Sequence, residues 1–501
     1  MQLWQNIPFL LILLPLYSAS LFMVLRGRSA RAAAVCVLGA SCALSAVFLG
    51  CMTAFSGSFT YMMGHFPSPW GNEIRAGGLE AALAFVFSAV MLCAVGGGWR
   101  AFRRDIRQDL QNLYLVMCLL AQSALMAEIF TNDVFTGYVF LEILTVSACA
   151  LISAKNNGRA LTAATRYMVL NLIGSGLFLL SLSLLYGLTG HLLMPPIREA
   201  VEALDRSGAY HQPLTVVIAL VTISLGIKSA MFPFHTWVPD AYSFSTPASG
   251  AILSSLISKG YILLLLKFYF RVFSLDVLLK TGIADVLFVF GAAGAVIGSA
   301  VAIRQLEISR MIAWSSVAQI GYIYMAMGLG TREGMLAAVF QMIAHTVAKA
   351  LLFVSSGALC DASEGHHSFP GLRGAFYRCP AGGIGFTVGA LSLLGVPLTG
   401  GMIVKIAYAG AAVNRGGMRM LILLAVLVIS TAFSSVYLGR TLITLYRRSE
   451  EASPAAAAPG ACRPGAALTA ACLALSVLTL ALGMASRPVL ELLREGLSAF
   501  G

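Results

Sequence analysis

Hydrophobic runs of about 20 residues recur along the whole chain, and short polar connections separate them. A helix of that length crosses the ~30 Å hydrocarbon core of a bilayer. The pattern predicts an all-α polytopic membrane protein with about fourteen transmembrane helices. We number them spans 1 to 14, at residues 7–25, 32–53, 79–97, 112–130, 133–153, 166–187, 213–236, 247–269, 283–303, 310–329, 335–359, 382–412, 417–445 and 467–486.

Two of these spans carry helix-breaking residues in matching places. Span 7 contains Pro233 and Pro239, and span 12 contains Pro397 followed by Gly400 and Gly401. Proline removes a backbone donor and glycine weakens a helix, so we predict two half-helices around an unwound segment in each span. Broken helices at corresponding positions in two halves of a chain are typical of inverted-repeat transporters.

Ionisable side chains interrupt several of the apolar spans. A charge at the bilayer centre costs roughly 2.5 to 3.5 kcal/mol on insertion scales, so such residues usually mark ion paths. Lysines near a helix end can instead reach the headgroups. Glu128 lies only five residues before the polar Asp133, so a position at the interface is expected for it. The remaining candidates are Glu142, Lys228, Lys259, His345, Lys349 and Lys405.

His345 and Lys349 are four residues apart, so they share one face of span 11. A lone buried histidine is usually structural, but a neighbouring buried lysine favours proton exchange instead. Histidine titrates near neutral pH, and desolvation favours the neutral form of a lysine. Glu142 is expected to be the one carboxylate deep in the membrane, and to balance the buried ammonium groups.

The chain has a formal net charge of +12, and its Lys and Arg residues concentrate in alternate connections. By the positive-inside rule, this asymmetry predicts a cell-membrane protein with both termini on the outer side. No basic residue precedes the first span, which therefore reads as a retained helix rather than a cleaved signal. The membrane topology explains the positive charge, and no nucleic-acid partner is expected.

Nothing in the sequence indicates a cofactor or a metal site. The ten cysteines form no CxxC pair, as an iron–sulfur or zinc site would require. His366 and His367 lie in a polar loop, where a solvated position is the better interpretation. The connections are too short for a separate soluble domain. Residues 447–466 are rich in Ala, Pro and Gly and predict a flexible linker to a final helix peripheral to the chemistry.

Several segments resemble the antiporter-like proton-translocating subunits of respiratory complex I, Mrp-type cation/proton antiporters and membrane-bound hydrogenases. The resemblance rests on KSAMFPFHTWVPDA (228–241), TPASGAILSSLISKG (246–260), HTVAKALLF (345–353) and LSLLGVPLTGGMIVK (391–405). Tyr242 stands where many complex I members have histidine, and a tyrosine there is more typical of the D-type protein of Mrp antiporters.

The resemblance implies a fold of two inverted five-helix repeats. The first repeat would span residues 112–270 with the broken span 7, and the second residues 283–446 with the broken span 12. Residues 1–111 would form flanking helices, and residues 447–501 the linker and the C-terminal helix. The resemblance also implies that the chain works among membrane lipids with other membrane subunits of one complex.

The resemblance further implies a proton path without a redox centre of its own. The path would begin at the Glu142 and Lys228 pair, cross Lys259 as a central relay, and reach Lys405 through His345 and Lys349. The complex would be an Mrp-type antiporter, or one related to NADH or ferredoxin dehydrogenases or to hydrogenases. The sequence leaves open whether Na⁺ is also moved. The alternatives are a quinone-linked redox subunit, a stand-alone solute transporter and a scaffold with silent lysines.

Overall fold

A computed structural model describes residues 3–22, 27–55, 57–63, 66, 72–208, 210–447 and 465–498 of the chain. Almost all of these residues are helical, which confirms the predicted all-α membrane class. Twelve helices within the described ranges are long and apolar enough to cross a membrane: Trp4–Leu21, Ser29–Phe55, Gly78–Gly97, Gln111–Phe130, Val134–Ser153, Gly158–Thr189, His211–Lys228, Pro247–Val272, Ile283–Ile303, Arg332–Asp361, Gly417–Tyr446 and Ala466–Met484.

The two predicted spans outside this set are also helical. Span 10 is the helix Ile308–Met327, which is more polar than the others because it carries serines, a glutamine and two tyrosines. Span 12 consists of two shorter helices, Pro380–Leu394 and Gly400–Arg415. Each predicted span therefore corresponds to a helix or to a broken pair of helices.

Span 7 is broken, as predicted, although the break begins earlier than its prolines suggest. The first half-helix ends at Lys228, five residues before Pro233. A short 3₁₀ turn, Phe234–Trp237, and the helix Val238–Phe244 follow. Pro239 lies in the first turn of that helix, where proline is favoured, so it starts a helix instead of breaking one.

The break in span 12 has a similar construction. The first half-helix ends at Leu394, and Gly395 follows with a φ of +79°, the left-handed conformation common after a helix C-terminus. Pro397 lies in the unwound segment. Gly400 and Gly401 were predicted as part of the break, but they form the first turn of the second half-helix.

Some predicted polar connections have structure of their own. Strands Phe59–Met62 and Glu73–Ala76 form an antiparallel hairpin. The amphipathic helix Met194–Ser207 joins spans 6 and 7. The hairpin pairs with Thr131 at the end of span 4; we call this end of the bundle the hairpin face. Shorter helices lie at Leu3–Asn6, Trp99–Asp105, Leu275–Lys280, Pro370–Leu372 and Ala375–Arg378.

Spans 8 and 11 form the centre of the bundle, and both are completely enclosed by other helices. Span 8 is interrupted by two π-helical turns, Leu253–Ile257 and Phe268–Val272. Such turns free backbone carbonyls from the regular ladder, and they occur frequently at functional sites.

The last membrane helix differs from the sequence-based expectation. Ala466–Met484 packs against spans 3, 11 and 12, and Gly483 lies directly against the backbone of Leu398 and Thr399 in the span 12 break. The final span therefore supports that break and is not peripheral. Most of the predicted linker, residues 448–464, lies outside the described residues, and the helix Ser486–Ser498 ends the described chain.

Candidate functional site

Lys228 and Glu142 form an ion pair between spans 7 and 5. Lys228 Nζ is fully buried, 3.3 Å from Glu142 Oε1 and 2.9 Å from Thr145 Oγ1. Ser175 Oγ donates a hydrogen bond to the same carboxylate oxygen at 2.5 Å. The Glu142 side chain is 27% exposed. The pair therefore joins a fully enclosed ammonium to a carboxylate at the edge of the bundle.

An aromatic ring completes the surroundings of this ammonium. Lys228 Nζ lies 5.6 Å from the ring centroid of Tyr261, within the range of a cation–π interaction. The Tyr261 hydroxyl is 3.1 Å from both Thr145 Oγ1 and the Tyr167 hydroxyl. These contacts hold the ring and Thr145 in place around the Lys228 ammonium.

Lys259 lies in span 8, directly after the first π-helical turn. It is fully buried, and its Nζ donates to the Ser254 carbonyl and, at 3.3 Å, to Ser258 Oγ. It has no carboxylate partner among the described residues. The hydroxyl of Tyr242 lies beside Ser258 and 3.3 Å from the Leu253 carbonyl. The Ser258 hydroxyl thus lies between the Tyr242 hydroxyl and the Lys259 ammonium.

Lys349 is fully buried in span 11, and its partners come from span 10. Its Nζ donates to the Ile312 carbonyl at 2.8 Å and to Ser315 Oγ. Ser316 Oγ donates to the same Ile312 carbonyl at 3.1 Å and lies 3.0 Å from Ser254 Oγ. Polar groups therefore run continuously from Lys259 to Lys349.

His345 is one turn from Lys349 in span 11 and is buried. Neither of its ring nitrogens has a hydrogen-bond partner within the described part of the chain. It borders a small cavity of about 20 Å³ that reaches Lys405 and Thr431, enough room for roughly one water molecule. The other polar residues of the lining are Gln319, Tyr322, Gln341, Ser392, Tyr408 and Ser434.

Lys405 lies in the second half-helix of span 12. Its Nζ donates to the Leu394 carbonyl at 2.5 Å and to Thr431 Oγ1 at 2.9 Å. Leu394 is the last residue of the first half-helix, where the helix dipole is negative. The break therefore brings an unpaired helical carbonyl to the ammonium, as the sequence pattern of a lysine beside each break suggested.

Sequence reasoning missed four buried ionisable residues near the hairpin face. They are Glu80 in span 3, Glu128 in span 4, and Lys267 and Arg271 in span 8. Glu142 is not the most enclosed carboxylate, because Glu80 and Glu128 are more completely buried. Each of the four lies within about one turn of a predicted span end, which resembles an interfacial position. Only the packing of the hairpin over these ends shows that they are covered.

The serines that connect the lysines were also missed. Ser254, Ser315 and Ser316 lie in apolar helices, where a hydroxyl can bond to its own backbone and is therefore easily overlooked. The available signal was the SerSer pair inside span 10 and another inside span 8.

The row of residues from Glu142 to Lys405 contains carboxylate, ammonium and imidazole groups, and a hydroxyl group lies within hydrogen-bond distance of each of its four lysines. Such groups can pass protons without a bound cofactor. Within the described ranges, no cluster of three or more His, Cys, Asp or Glu side chains is placed to hold a metal ion.

Comparison with known proteins gives a consistent result. Residues 131–434 match the family model described as NADH:quinone oxidoreductase/Mrp antiporter, transmembrane region. The chain is 31% identical over 455 residues to NADH-quinone oxidoreductase subunit N of Desulforudis audaxviator, covering 88% of this chain and 86% of that protein. It is 26% identical over 435 residues to the D-type protein of the Na(+)/H(+) antiporter of Bacillus subtilis, covering 85% of each.

Solved structures share the fold over nearly the whole chain. A chain of an archaeal membrane-bound sulfane sulfur reductase superposes with a TM-score of 0.86 at 25% identity, covering 99% of this chain and 98% of that one. A chain of the Mrp complex from Dietzia sp. gives a TM-score of 0.86 at 23% identity, covering 100% and 98%. The flanking spans are therefore part of the common architecture.

Proposed function

Because the chain belongs to the NADH:quinone oxidoreductase/Mrp antiporter membrane family, we propose that it translocates protons as a membrane subunit of a multisubunit complex. The solved relatives are described as multisubunit membrane complexes, which supports other membrane subunits as its partners. The 501 residues would contribute two inverted repeats, spans 4 to 8 and spans 9 to 13, and no redox centre.

The observation that carries this proposal is the ion pair of Lys228 and Glu142 at a break in span 7. A nearby carboxylate stabilises the charged form of a buried lysine. When the pair opens, the ammonium is left desolvated, and its proton moves to the next basic group. The proton affinity of Lys228 thus depends on its distance from Glu142.

The following proton transfers run along the row toward Lys405. From Lys228 the proton passes to Lys259 and then to Lys349. Between these two lysines, Lys259 Nζ donates to the Ser254 carbonyl, the Ser254 and Ser316 hydroxyls lie 3.0 Å apart, and the Ile312 carbonyl accepts from both Ser316 and Lys349. His345 and the small cavity beside it continue the path to Lys405. Like charges in a dry channel repel strongly, so the protonation of one site changes the affinity of the next.

Protons must reach the row from both sides of the membrane, and the predicted topology assigns the two ends of the bundle to these sides. With both termini outside the cell membrane, the hairpin face is the outer side. Tyr242 lies at the opposite end of the bundle, beside Ser258 and Lys259. We assign Tyr242 the role of the hydroxyl through which Lys259 exchanges protons with the inner side.

The test uses the assembled complex, reconstituted in vesicles with a pH-sensitive dye. Glu142→Gln, Lys228→Ala and Lys259→Ala should each abolish proton transport while the complex still assembles, because each removes one station of a serial path. Lys280→Ala, which removes an exposed lysine that pairs with Asp205, is the matched control. Normal transport in all three row variants would rule out the relay and support a scaffold role.

Other classes of function give different results in the same preparation. A quinone-linked redox subunit would show absorption of a flavin, haem or iron–sulfur centre in the purified chain, and a stand-alone transporter would move its solute without partner subunits. The copurifying subunits, with Na⁺ dependence of transport, distinguish a cation/proton antiporter from a redox-driven complex.

A further inference from the structure

A second set of buried charges lies between Lys228 and the hairpin face. It consists of Glu128, Lys267, Arg271 and Glu80, whose exposed fractions are 3% or less. The set contains two acidic and two basic side chains, and burying four ionisable groups has a high cost in free energy. None of them belongs to the row from Glu142 to Lys405.

Glu128 is the central member of this set. Neither of its carboxyl oxygens has a hydrogen-bond partner within the described residues. It faces Gly260 of span 8, where a Cβ would overlap its Oε2, and Lys228 and Lys267 are the two cations whose fields reach it. A buried carboxyl without a hydrogen bond or an ion pair is stable mainly as the neutral acid. Glu128 can therefore hold a proton between two lysines.

Polar contacts connect Lys267 and Arg271 with the end of span 4 at the hairpin face. Lys267 Nζ donates to the carbonyls of Ile129 and Thr131, at 2.6 and 2.8 Å. One turn further along span 8, Arg271 donates to Asn132 Oδ1 at 3.3 Å and forms an ion pair with Glu80.

The ion pair of Arg271 and Glu80 borders a larger cavity. Arg271 and Glu80 line a cavity of about 300 Å³ at the hairpin face, together with Arg75 and Glu495. The cavity is large enough for several water molecules. From the cavity inward, Arg271 with Glu80, then Lys267 and then Glu128 lead toward the surroundings of Lys228.

We propose that Glu128 and Lys267 form the route by which Lys228 exchanges protons with the hairpin face. The Glu128 carboxyl gives its proton to the neutral Lys267 amine, and the resulting carboxylate takes one proton from the Lys228 ammonium. Each step moves one proton between existing lone pairs and needs no other reactant. The Arg271 and Glu80 pair closes the mouth of the route. This proposal rests on the proton translocation proposed above and adds its access on one side.

Glu128→Gln tests the proposal in the reconstituted complex, because it keeps the shape of the side chain and removes its proton chemistry. We expect proton transport to fall at least tenfold with normal assembly. We also expect an infrared band of a protonated carboxyl group to disappear. Glu128→Asp should keep the band and recover part of the rate. Asp205→Asn, a carboxylate paired with Lys280 at the surface, is the matched control.

The proposal is overturned if Glu128→Gln transports protons at the wild-type rate, or if the carboxyl band persists in that variant. Such a result would leave the row itself standing, provided that Lys228→Ala still abolishes transport. If Lys228→Ala and Lys259→Ala transport normally, the proposed function fails regardless of the result at Glu128.

Discussion

The buried cations of this protein differ in the groups that neutralise them. Lys228 has a carboxylate within 3.3 Å, whereas Lys259 and Lys349 have only carbonyl and hydroxyl oxygens among the described residues. Carbonyl and hydroxyl dipoles solvate an ammonium less well than a full negative charge does. The charged form of Lys228 is therefore better stabilised than those of Lys259 and Lys349, and in the proposed mechanism the position of Glu142 controls the release of its proton.

Ser175→Ala tests how the position of Glu142 is controlled. The Ser175 hydroxyl donates to Glu142 Oε1 at 2.5 Å, and a hydrogen bond to a charged group contributes about 1.5 to 3 kcal/mol. Its loss should leave Glu142 free to move away from Lys228 and lower the proton-transport rate by about tenfold. The measurement is the initial rate in vesicles.

Ser181→Ala on the same helix is the control for this variant. Among the described residues, the Ser181 hydroxyl bonds to the backbone carbonyl of Phe178 and to no side chain, and it is buried in the same way. Its rate should stay within about twofold of wild type, since the free-energy change expected for a backbone-bonded hydroxyl is small. Equal rates in the two variants would show that Ser175 does not position Glu142.

Which residues carry charge could be predicted from the sequence, but apart from the Glu142 and Lys228 pair, which the resemblance implied, their partners could not. Lys228, Lys259 and Lys349 are conspicuous because each interrupts an apolar helix. The burial of Glu128 was not expected, because its surroundings were judged from the nearest polar residues along the chain. The hairpin and Met194–Ser207 cover that end of the bundle, and no local pattern reveals such long-range packing.

At the scale of the helices, each of the two breaks places the C-terminus of a half-helix inside the bundle. Lys228 is itself the last residue of a half-helix, and Lys405 donates to Leu394, the last residue of another. Carbonyls at a helix C-terminus lack intrahelical partners and carry partial negative charge. An unbroken helix would not offer the Lys405 ammonium such a group.

Gly401→Ala tests the packing of the span 12 break. A Cβ at Gly401 would overlap the Ser392 carbonyl, so the half-helices must separate and the contact of Lys405 with Leu394 must change. We expect transport to fall at least tenfold, or the complex to assemble poorly. Thermal stability of the purified complex and vesicle transport are the two measurements.

Gly410→Ala in the same half-helix serves as the control for Gly401→Ala. A Cβ at Gly410 meets nothing within 4 Å in the described residues. Alanine favours a helix over glycine by up to about 1 kcal/mol, so this variant should be neutral or slightly more stable. If Gly401→Ala behaved like Gly410→Ala, the close packing at the break would have no functional consequence.

The existence of both breaks was predictable, since proline and glycine act locally on a helix. Their exact limits were not, because Pro239, Gly400 and Gly401 turn out to start helices. A residue that breaks a helix can equally well begin the next one, and the choice depends on the packing of neighbouring spans. The contact of Gly483 with the span 12 break is an example from the far end of the chain.

At the scale of the whole molecule, the row crosses from spans 5 and 7 through spans 8, 10 and 11 to span 12. The membrane class followed directly from hydropathy, because helix length is fixed by bilayer thickness. The roles of spans 10 and 14 did not follow from it. Span 10 supplies the hydroxyls between two lysines, and span 14 supports a break, and both depend on tertiary contacts.

If the row works as one unit, the effect of a substitution at one end on the proton-transport rate must depend on a substitution at the other end. Ser175→Ala weakens the Glu142 end, and Thr431→Val removes the hydroxyl 2.9 Å from Lys405 Nζ at the other end. Each should lower transport by about tenfold. Distant, independent sites have additive effects on free energy, so two independent substitutions that act on the same rate-limiting step would give a loss of about a hundredfold in the double variant.

We expect the double variant to lose clearly less than the product of the two single losses, because one slow station already limits a serial, electrostatically coupled path. Initial proton-transport rates of wild type, both single variants and the double variant complete the cycle. Thr444→Val, on the same helix as Thr431 but bonded to the Arg440 backbone, replaces Thr431→Val in a control cycle. A full product in the first cycle would show that the two ends of the row act independently. The path from Lys349 to Lys405 would then carry no coupling.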